Sequence, residues 1–495
     1  MKTITTLSLL GAFASTTAMA QDLPQADNTW FIAAQETIAA RVNVQPNTSK
    51  AKNVILLIAD GNGVGTNYIT RLFAGQAAGN YGDEHLLPQD TFPHVALSKT
   101  YNTNAQTPDS AGTGTAFHTG VKTKQGVLGV DETLARGDCA GVDAATVANA
   151  SEIFSALGKQ VGIISSARLT HATPASAYAH SADRNFESND GLSEGCEQKD
   201  IAAQLVDAMA AGTVDYAFGG GRRHFIPSDL EDEQGKTGKR TDGTNLIEAA
   251  AEAGIQYAWD VDTLAGADLS KPVLGLFTSS HMSYEADRPA SEPSLSDLTE
   301  TAIKALEGSE NGYFLTIESG RVDHASHATN AYRTVTDGVE FAEAIAIADA
   351  LTNDEDTLII VSADHEHAVA MAGYSGRGAP ILGLSMKVDG AGEKYLEEPN
   401  LAQDGKPYTT VSFLNGASSV MKEDAQWNGT RNAELTQEMA MDMDYTQEVL
   451  VPLSSETHSG EDVAIYAKGP WAHLIGGTME QNVIFHVMHH AATAE

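Results

Sequence analysis

The chain has 495 residues, of which 66 are acidic and 30 are basic, so its formal net charge at pH 7 is −36. This charge argues against nucleic-acid binding, which requires a basic face, and equally against docking on anionic lipid. The hydrophobic content of 42% is enough for a sizeable core and excludes a disordered acidic tail, while the length allows about three domains or one large one.

The N-terminus has the pattern of a secretory signal peptide. Lys2 precedes a short apolar stretch, residues 7–13, and Ala18-Met19-Ala20 supplies a small-residue cleavage site before Gln21. The apolar stretch is too short to span a membrane, and no later run reaches 18 apolar residues. We therefore expect residues 1–20 to be removed and residues 21–495 to be exported to the periplasm or the medium, with no membrane anchor.

Beyond this segment, short apolar runs alternate with helical patterns. Strands and helices in such alternation form parallel sheets that are covered on both faces, so we predict an α/β fold with a doubly wound, mostly parallel sheet flanked by helices. The predicted strands are Asn53–Ala59, Gln160–Ser165, Tyr216–Phe218, Pro272–Phe277, Gly312–Ile317 and Thr357–Ser362. The helical patterns between them include Ala144–Leu157, Asp200–Ala210, Leu295–Leu306 and Thr336–Leu351.

Two stretches break this alternation. Residues 226–246 are polar and glycine-rich, which predicts a long loop, and residues 373–450 are mixed in composition, which predicts an inserted subdomain. Because the chain has no internal repeat and no low-complexity linker, one large domain with an insertion fits residues 21–495 better than three separate domains.

Residues of the kind that bind metals follow the predicted strands. In a parallel sheet, ligands bind beyond the carboxyl ends of the strands, so side chains at these positions are candidates for a site. Such residues follow four of the predicted strands: Asp60; His171 with Thr173; Glu318 with Asp323 and His327; and Asp364 with His365. We therefore predict a metal-dependent site at this edge of the sheet.

Each of these residues has a simpler interpretation when it is taken alone. Asp323 and His327 share one face of a helix and suit zinc, but they also fit an exposed polar helix start. The pair Asp364-His365 also fits a capped loop, and Asp60 before a glycine fits an ordinary turn. His458 cannot be interpreted alone.

The segment Thr107–Thr115 is more distinctive. Ser110 is followed by small residues, which allow the backbone to approach an anion closely if Ser110 begins a helix. The alternative is a turn rich in serine and glycine. The segment lacks the Gly-x-Ser-x-Gly pattern, so an ordinary Ser-His-Asp hydrolase is not indicated, whereas a metal-activated serine is consistent with it.

The chain has two cysteines, Cys139 and Cys196, and both lie in the part predicted to be exported. An even number of cysteines in an oxidising compartment favours a disulfide over free thiols.

The sequence resembles the alkaline phosphatase family along nearly all of the exported chain. The order and approximate spacing of the matching segments agree throughout, and the segment around Ser110 is specific. The matching segments are residues 58–63, 108–115, 171–175 with His180 and Arg184, 219–222, 318–327, 363–367 and 457–460.

The resemblance implies a role for each of these side chains. Ser110 would be the nucleophile that becomes phosphorylated, Arg184 would bind two phosphate oxygens, and Asp109 would orient Arg184, with His324 near the phosphate. Two zinc ions and one magnesium ion would be the cofactors. One zinc would be held by Asp323, His327 and His458, the other by Asp60, Asp364 and His365, and magnesium by Asp60, Thr173 and Glu318, with His171 beside it.

The chemistry of these residues agrees with the implied roles. A guanidinium fork suits two phosphate oxygens, and coordination to zinc lowers the pKa of a serine hydroxyl. Mixed aspartate and histidine sets suit zinc, whereas the oxygen ligands of the third set suit magnesium.

The sequence departs from the best-known bacterial pattern of the family at two positions. His171 replaces an aspartate near the magnesium, which puts the metal selectivity of the third site in doubt, because an imidazole also suits zinc. His324 replaces a lysine near the phosphate, which removes a fixed positive charge. Animal enzymes of the family look similar to this chain at both positions.

The resemblance also implies a homodimer. Cys139 and Cys196 are placed like a disulfide pair of the animal branch. The insertion at 373–450 resembles, in position more than in sequence, the crown that caps the dimer in that branch.

The expected function is therefore hydrolysis of phosphate monoesters by a secreted, metal-dependent enzyme, but two alternatives compete. A phosphodiesterase of the same superfamily would not need Arg184 to bind two free oxygens. A sulfatase is not indicated, because the residues after Ser110 lack its x-Pro-x-Arg pattern. A non-catalytic, acidic, ion-binding secreted protein would explain only the charge.

Three divalent ions would leave the pocket itself positive, so the excess acid lies on the remaining surface. This acidic surface is either simply well solvated or an adaptation to high salt, and we favour a halophilic protein.

Overall fold

The structure, a computed structural model, describes residues 23–391, 395–418, 422–423, 426–427 and 429–495. The predicted signal peptide, residues 1–20, lies outside the described residues. The chain divides into two units, one that ends at Gln45 and a far larger one from Pro46 to Glu495. The first unit contains helix α1, Thr29–Val42, which begins where the Asn28 side chain accepts hydrogen bonds from two backbone amides and which buries none of its residues.

The second unit contains the sheets and the remaining helices. Its strands are β1 Asn53–Ala59, β2 His94–Lys99, β3 Gln160–Arg168, β4 Tyr216–Gly220, β5 Gln256–Ala258, β6 Val273–Leu276, β7 Tyr313–Ser319, β8 Thr357–Ala363, β9 Glu366–His367, β10 Val369–Met371, β11 Met386–Val388, β12 Tyr395–Pro399, β13 Val411–Gly416, β14 Lys422–Glu423, β15 Gln426–Trp427, β16 Val449–Pro452, β17 His458–Ser459, β18 Val463–Lys468 and β19 Thr478–Glu480. Its helices are α2 Val64–Ala77, α3 Ser110–Thr119, α4 Val142–Ala145, α5 Ala150–Ala156, α6 Ala172–Ala175, α7 Ile201–Ala210, α8 Leu246–Glu252, α9 Val261–Ala265, α10 Leu295–Leu306, α11 Arg321–His327, α12 Ala331–Ala350, α13 Gln437–Ala440 and α14 Val483–Thr493.

Ten strands form the central sheet in the order β19-β2-β18-β8-β1-β7-β3-β4-β6-β5. All neighbours in this sheet are parallel except β18, which runs antiparallel to both β8 and β2. The predicted α/β class with a mostly parallel sheet is confirmed, and all six predicted strands lie in this sheet.

Strand β1 is apolar at every position from Val54 to Ala59, and its burial on both faces explains why. Val54, Leu56 and Ile58 point into one hydrophobic cluster, whereas the residues between them point into a second cluster. All of these side chains are fully buried. Both faces of the sheet are therefore covered, which is the condition under which a strand is apolar at every position.

The predicted helix Ala144–Leu157 is wrong in its extent. The backbone becomes extended at Thr146, and a new helix, α5, begins after Asn149, whose side chain forms a capping box with Glu152. The chain there is two short helices, because an asparagine with a glutamate three residues later is a strong start signal. The three strands at one end of the sheet, β2, β18 and β19, were not predicted.

Two regions lie outside the main alternation of strands and helices. Residues 226–245 contain no helix or named strand, as the predicted loop requires. The predicted insertion, 373–450, contributes strands to small separate sheets, such as the one with the order β10-β13-β16. That this insertion is a crown remains a prediction.

The predicted disulfide between Cys139 and Cys196 is present and joins residues 57 positions apart. It packs at the edge of a small hydrophobic cluster that includes Val127, Leu134 and Phe186. Among the described residues, no helix is long and apolar enough to cross a membrane.

Candidate active site

The site lies at the carboxyl edge of four adjacent strands. The order β8-β1-β7-β3 places the residues that follow these strands next to one another. Asp60 follows β1, Asp364 and His365 follow β8, Asp323 and His327 lie on α11 just after β7, and His171 and Thr173 follow β3. The structure thus brings together the residues that sequence analysis placed at this edge.

Ser110 is the first residue of α3 and is buried against this edge. Its Oγ lies 3.3 Å from both carboxylate oxygens of Asp60 and 3.3 Å from Nε2 of His365. A side chain at Gly112 would collide with Asn102, and its Cβ would come within 2.6 Å of that amide. Gly112 is therefore required by the close packing of α3 against Asn102.

Asp60, Asp364 and His365 form one buried cluster around Ser110. Nε2 of His365 is 3.1 Å from Asp60 Oδ1 and 3.4 Å from Asp364 Oδ2. Asp364 is fixed in place because it accepts hydrogen bonds from the Gly61 amide and the Thr113 hydroxyl, both at 3.1 Å. Two carboxylates and one imidazole facing a common point form a donor set that suits zinc.

A second cluster joins Asp323, His327 and His458. Nδ1 of His327 donates to a backbone carbonyl at 2.6 Å, and Nδ1 of His458 donates to the Pro108 carbonyl at 2.9 Å. Each ring therefore presents its Nε2 lone pair inward, and the two Nε2 atoms are only 3.1 Å apart. Asp323 Oδ1 lies within 3.4 Å of both. Facing lone pairs repel each other, and a cation between them and the carboxylate would remove this repulsion, so these residues fit a metal ion.

The third cluster contains Asp60, His171 and Glu318, whose ligand atoms lie within 4.8 Å of one another. The hydroxyl of Thr173 and Oε1 of Glu318 are buried and form no hydrogen bond with the described residues. Nδ1 of His171 is likewise buried without a partner there. Buried polar atoms normally have partners, so this oxygen-rich pocket also fits a cation.

Arg184 and Asp109 form a fixed pair beside Ser110. Nη1 of Arg184 donates to Asp109 Oδ2 at 3.1 Å. The other Asp109 oxygen accepts from the Gly112 amide at 3.1 Å, and the Gly126 amide donates to Oδ2 at 3.0 Å. Burial alone would raise the pKa of Asp109, but Arg184 and these amides lower it, so the carboxylate stays charged and anchors the guanidinium.

His324 lies in a group of three imidazoles next to the third cluster. Its ring centroid is 4.0 Å from that of His281 and 5.5 Å from that of His171. The ring nitrogens of His281 face the backbone amide and the guanidinium of Arg168. Burial lowers the pKa of His324 to about 4, so this side chain is neutral at neutral pH.

Without bound cations three buried carboxyl groups, those of Asp60, Glu318 and Asp364, bind protons more tightly than usual. Asp323 differs, because the neighbouring histidines lower its pKa despite its burial. Burial and repulsion from Asp323 and Glu318 raise the pKa of Asp60 well above its usual range. Burial raises the pKa of Glu318 to about 8, and burial with the charge of Asp60 raises the pKa of Asp364 to about 6. The protein's own cationic groups are therefore too few to balance these carboxylates, and divalent ions would supply the missing charge.

Sequence reasoning assigned no role to four residues of this region, namely Arg168, His281, His367 and Glu456. His281 was detectable, since it follows the predicted strand that ends at Phe277 and obeys the same edge rule. His367 lies in the matching segment 363–367, but its contact with Glu456 depends on the pairing of β9 with β17 and has no local sequence signal.

Comparison with known proteins agrees with this geometry. The family model described as alkaline phosphatase matches residues 51–494. The chain is 40% identical over 483 residues to the tissue-nonspecific alkaline phosphatase of Gallus gallus, covering 94% of this chain and 89% of that protein.

Solved structures share the fold. The alkaline phosphatase of Thermus thermophilus superposes with a TM-score of 0.65 at 22% identity, covering 93% of this chain and 95% of that one. A histidine-to-aspartate variant of the alkaline phosphatase from the Antarctic bacterium TAB5, with Mg bound in its M3 site, superposes with a TM-score of 0.60 at 23% identity, covering 90% and 99% of the two chains.

Proposed function

The chain belongs to the alkaline phosphatase family, a family of metal-dependent phosphomonoesterases, and we propose that it uses Ser110 as a phosphorylated nucleophile with two zinc ions and one magnesium ion. The observation that carries this proposal is the position of the Ser110 hydroxyl. Its oxygen, at the start of α3, lies 3.3 Å from a carboxylate oxygen of Asp60 and 3.3 Å from Nε2 of His365. Serine is a weak nucleophile unless its hydroxyl is activated, and a cation at this point would activate it.

Three sets of residues would hold the ions. The two zinc ions together would offset negative charge on the attacking serine oxygen and on the leaving alkoxide, while magnesium in the third cluster would add further positive charge. The first zinc would be held by Asp323, His327 and His458, the second by Asp60, Asp364 and His365, and magnesium by Asp60, Thr173 and Glu318, with His171 beside it.

Arg184 would bind the phosphate group of the substrate, and Ser110 would attack its phosphorus atom. The guanidinium, anchored by Asp109, would bind two non-bridging oxygens of the phosphate and align phosphorus with the Ser110 oxygen. That oxygen loses its proton and forms a bond to phosphorus as the ester bond breaks, and the leaving oxygen takes up a proton to become the alcohol. Water then attacks the phosphoserine, which releases inorganic phosphate and returns the hydroxyl of Ser110.

His171 would change the metal preference of the third site, and His324 would change the affinity for phosphate. Because His171 belongs to the third cluster, we propose that the site accepts zinc as well as magnesium. The M3 magnesium in the TAB5 structure occurs in a variant in which a histidine has become aspartate, which is consistent with a carboxylate being the better magnesium ligand. His324, neutral at neutral pH, would hold phosphate less tightly than a lysine would.

The setting of the enzyme is also part of the proposal. We propose that the protein is exported after loss of residues 1–20, that it forms a homodimer, and that its acidic surface is an adaptation to salt. The disulfide between Cys139 and Cys196 supports export, because disulfides persist in oxidising compartments.

The test is a comparison of a phosphate monoester with a diester of the same leaving group, in zinc and magnesium. We expect strong preference for the monoester, because only a monoester offers Arg184 two free oxygens. The Ser110→Ala variant should lose activity while keeping its melting temperature. Preference for the diester would favour the phosphodiesterase alternative, and an inactive wild type would contradict the proposal.

A further inference from the structure

Glu456 is a buried carboxylate just before β17, outside the residues proposed to hold metal ions. Its side chain is fully buried. One oxygen contacts Nδ1 of His367 at 2.5 Å, and the other accepts a hydrogen bond from the Ala368 amide at 2.8 Å. A buried charge is costly unless it is paired and hydrogen-bonded, and both conditions are met here by groups next to the second cluster.

His367 extends this contact to a proposed zinc ligand. Its Nε2 lies 2.8 Å from Oδ1 of Asp323, while its Nδ1 lies at Glu456. Both nitrogens are therefore occupied by carboxylates, so the imidazole cannot give a lone pair to an ion without losing one of these contacts. His367 thus bridges Glu456 and Asp323 and fixes the orientation of the Asp323 carboxylate.

The backbone of Glu456 makes a second contact with the same cluster. Its carbonyl accepts the hydrogen bond from Nδ1 of His327 at 2.6 Å. This bond sets the tautomer of His327 and directs its Nε2 lone pair toward Asp323. Glu456 also precedes His458 by two positions, where β17 pairs with β9 and places His458 opposite His367.

We infer that Glu456 is a positioning residue that holds the Asp323, His327 and His458 set in the geometry that binds zinc, through His367 and through its own carbonyl. This inference rests on the proposed function, because it assigns zinc to that set. Partners that orient the ligands of a metal typically contribute about 10- to 100-fold to its affinity. A carboxylate that served only to balance a buried imidazole would contribute to folding but not to zinc affinity.

The experiment measures the dissociation constants of zinc by competition with a chelator in the full-length protein. The variants are Glu456→Gln, His367→Gln and the double variant, and the matched control is Glu340→Gln, a buried carboxylate on α12 that accepts a hydrogen bond from the Ser296 amide. We expect Glu456→Gln to raise the dissociation constant of one of the two zinc ions by about 10- to 100-fold and to leave that of the other unchanged. At saturating zinc the turnover of this variant should return to that of the wild type. Glu340→Gln should bind zinc as the wild type does.

The double variant tests whether the two side chains act together. If Glu456 acts through His367, the double variant should lose little more affinity than either single variant, since the second change removes a contact already broken. Should Glu456→Gln fail to fold, Glu456→Asp serves instead. Its carboxylate is too short to reach His367, so this variant should also bind one of the two zinc ions less tightly.

Unchanged zinc affinity in a folded Glu456 variant, or losses in the single variants that simply add, would overturn the inference. If the wild type binds two zinc ions and hydrolyses monoesters, such a result leaves the proposed function intact. If the wild type binds no zinc, both the inference and the proposed function fail.

Discussion

Arg184 donates a hydrogen bond to His171, with Nη2 of the guanidinium 3.1 Å from Nε2 of the imidazole. The same guanidinium is anchored on its other side by Asp109. His171 also belongs to the cluster with Asp60 and Glu318. One imidazole therefore connects Arg184, which we propose to bind phosphate, to the cluster proposed to hold magnesium, so changes at His171 should affect both ion binding and phosphate binding.

The first prediction concerns the metal preference of the third cluster. We expect His171→Asp to lower the magnesium concentration for half-maximal activity by about tenfold, because a carboxylate is a harder ligand than an imidazole. Magnesium titration of metal-stripped protein at fixed zinc measures this effect. His486→Asp, an exposed histidine on α14, is the control. An unchanged magnesium dependence in His171→Asp would argue against the assignment of the third site.

The second prediction concerns release of phosphate. Burial keeps His324 neutral at neutral pH, so His324→Lys should introduce a positive charge beside the proposed phosphate site. We expect phosphate inhibition to become tighter by on the order of tenfold and kcat to fall, because product leaves more slowly. His324→Gln, which stays neutral, should change phosphate inhibition far less. If His324→Lys left both phosphate inhibition and turnover as in the wild type, the charge at this position would not control release.

The third prediction concerns the pH dependence of stability after metal removal. Glu318 and Asp364 have folded-state pKa values of about 8 and about 6, above the unfolded values near 4. A carboxyl whose pKa is raised by folding contributes stability below its unfolded pKa, and that contribution is lost as pH rises through the folded pKa.

Relative to the metal-loaded form, the free energy of unfolding of metal-free protein should therefore fall from about pH 4, up to about pH 6 for Asp364 and up to about pH 8 for Glu318, by up to about 1.4 kcal/mol per pH unit for each group. Bound ions should remove most of this dependence, because they stabilise the charged carboxylates. Denaturant unfolding across this range, with and without metals, measures the difference. Parallel pH profiles for the two forms would contradict the charge assignment of the site.

The fourth prediction concerns salt. A chain with a net charge of −36 repels itself at low ionic strength, and molar sodium chloride screens that repulsion over about 3 Å. We expect the melting temperature to rise between low and molar sodium chloride, with activity retained. Thermal unfolding of the metal-loaded protein at low and at molar sodium chloride measures this change in melting temperature. An unchanged melting temperature would count against salt adaptation.

Much of the fold was predictable from the sequence because the central strands are buried on both faces. In β1 every residue from Val54 to Ala59 is apolar and buried, so the run is visible without any knowledge of its neighbours. The edge rule then placed Asp60, Asp364 and Asp323 together, because it depends only on strand direction. The antiparallel strand β18 was missed, since it is not part of the strand and helix alternation.

The contacts that complete the site were less predictable. Glu456 and His367 are 89 positions apart, and they meet only because β17 pairs with β9, two strands of two residues each. Strands this short carry no periodic signal. The predicted helix Ala144–Leu157 failed for a local reason, because Asn149 and Glu152 cap a new helix inside it.

The central claim is that Ser110 becomes phosphorylated, and trapping of the intermediate tests it most directly. Metal-loaded protein is mixed with a phosphate monoester, quenched in acid and analysed by peptide mass spectrometry, with Ser110→Ala as the control. We predict one phosphoryl group on the peptide that contains Ser110 in the wild type and none in the variant. Monoester hydrolysis that persists in Ser110→Ala, or a phosphoryl group on another residue, would contradict the account.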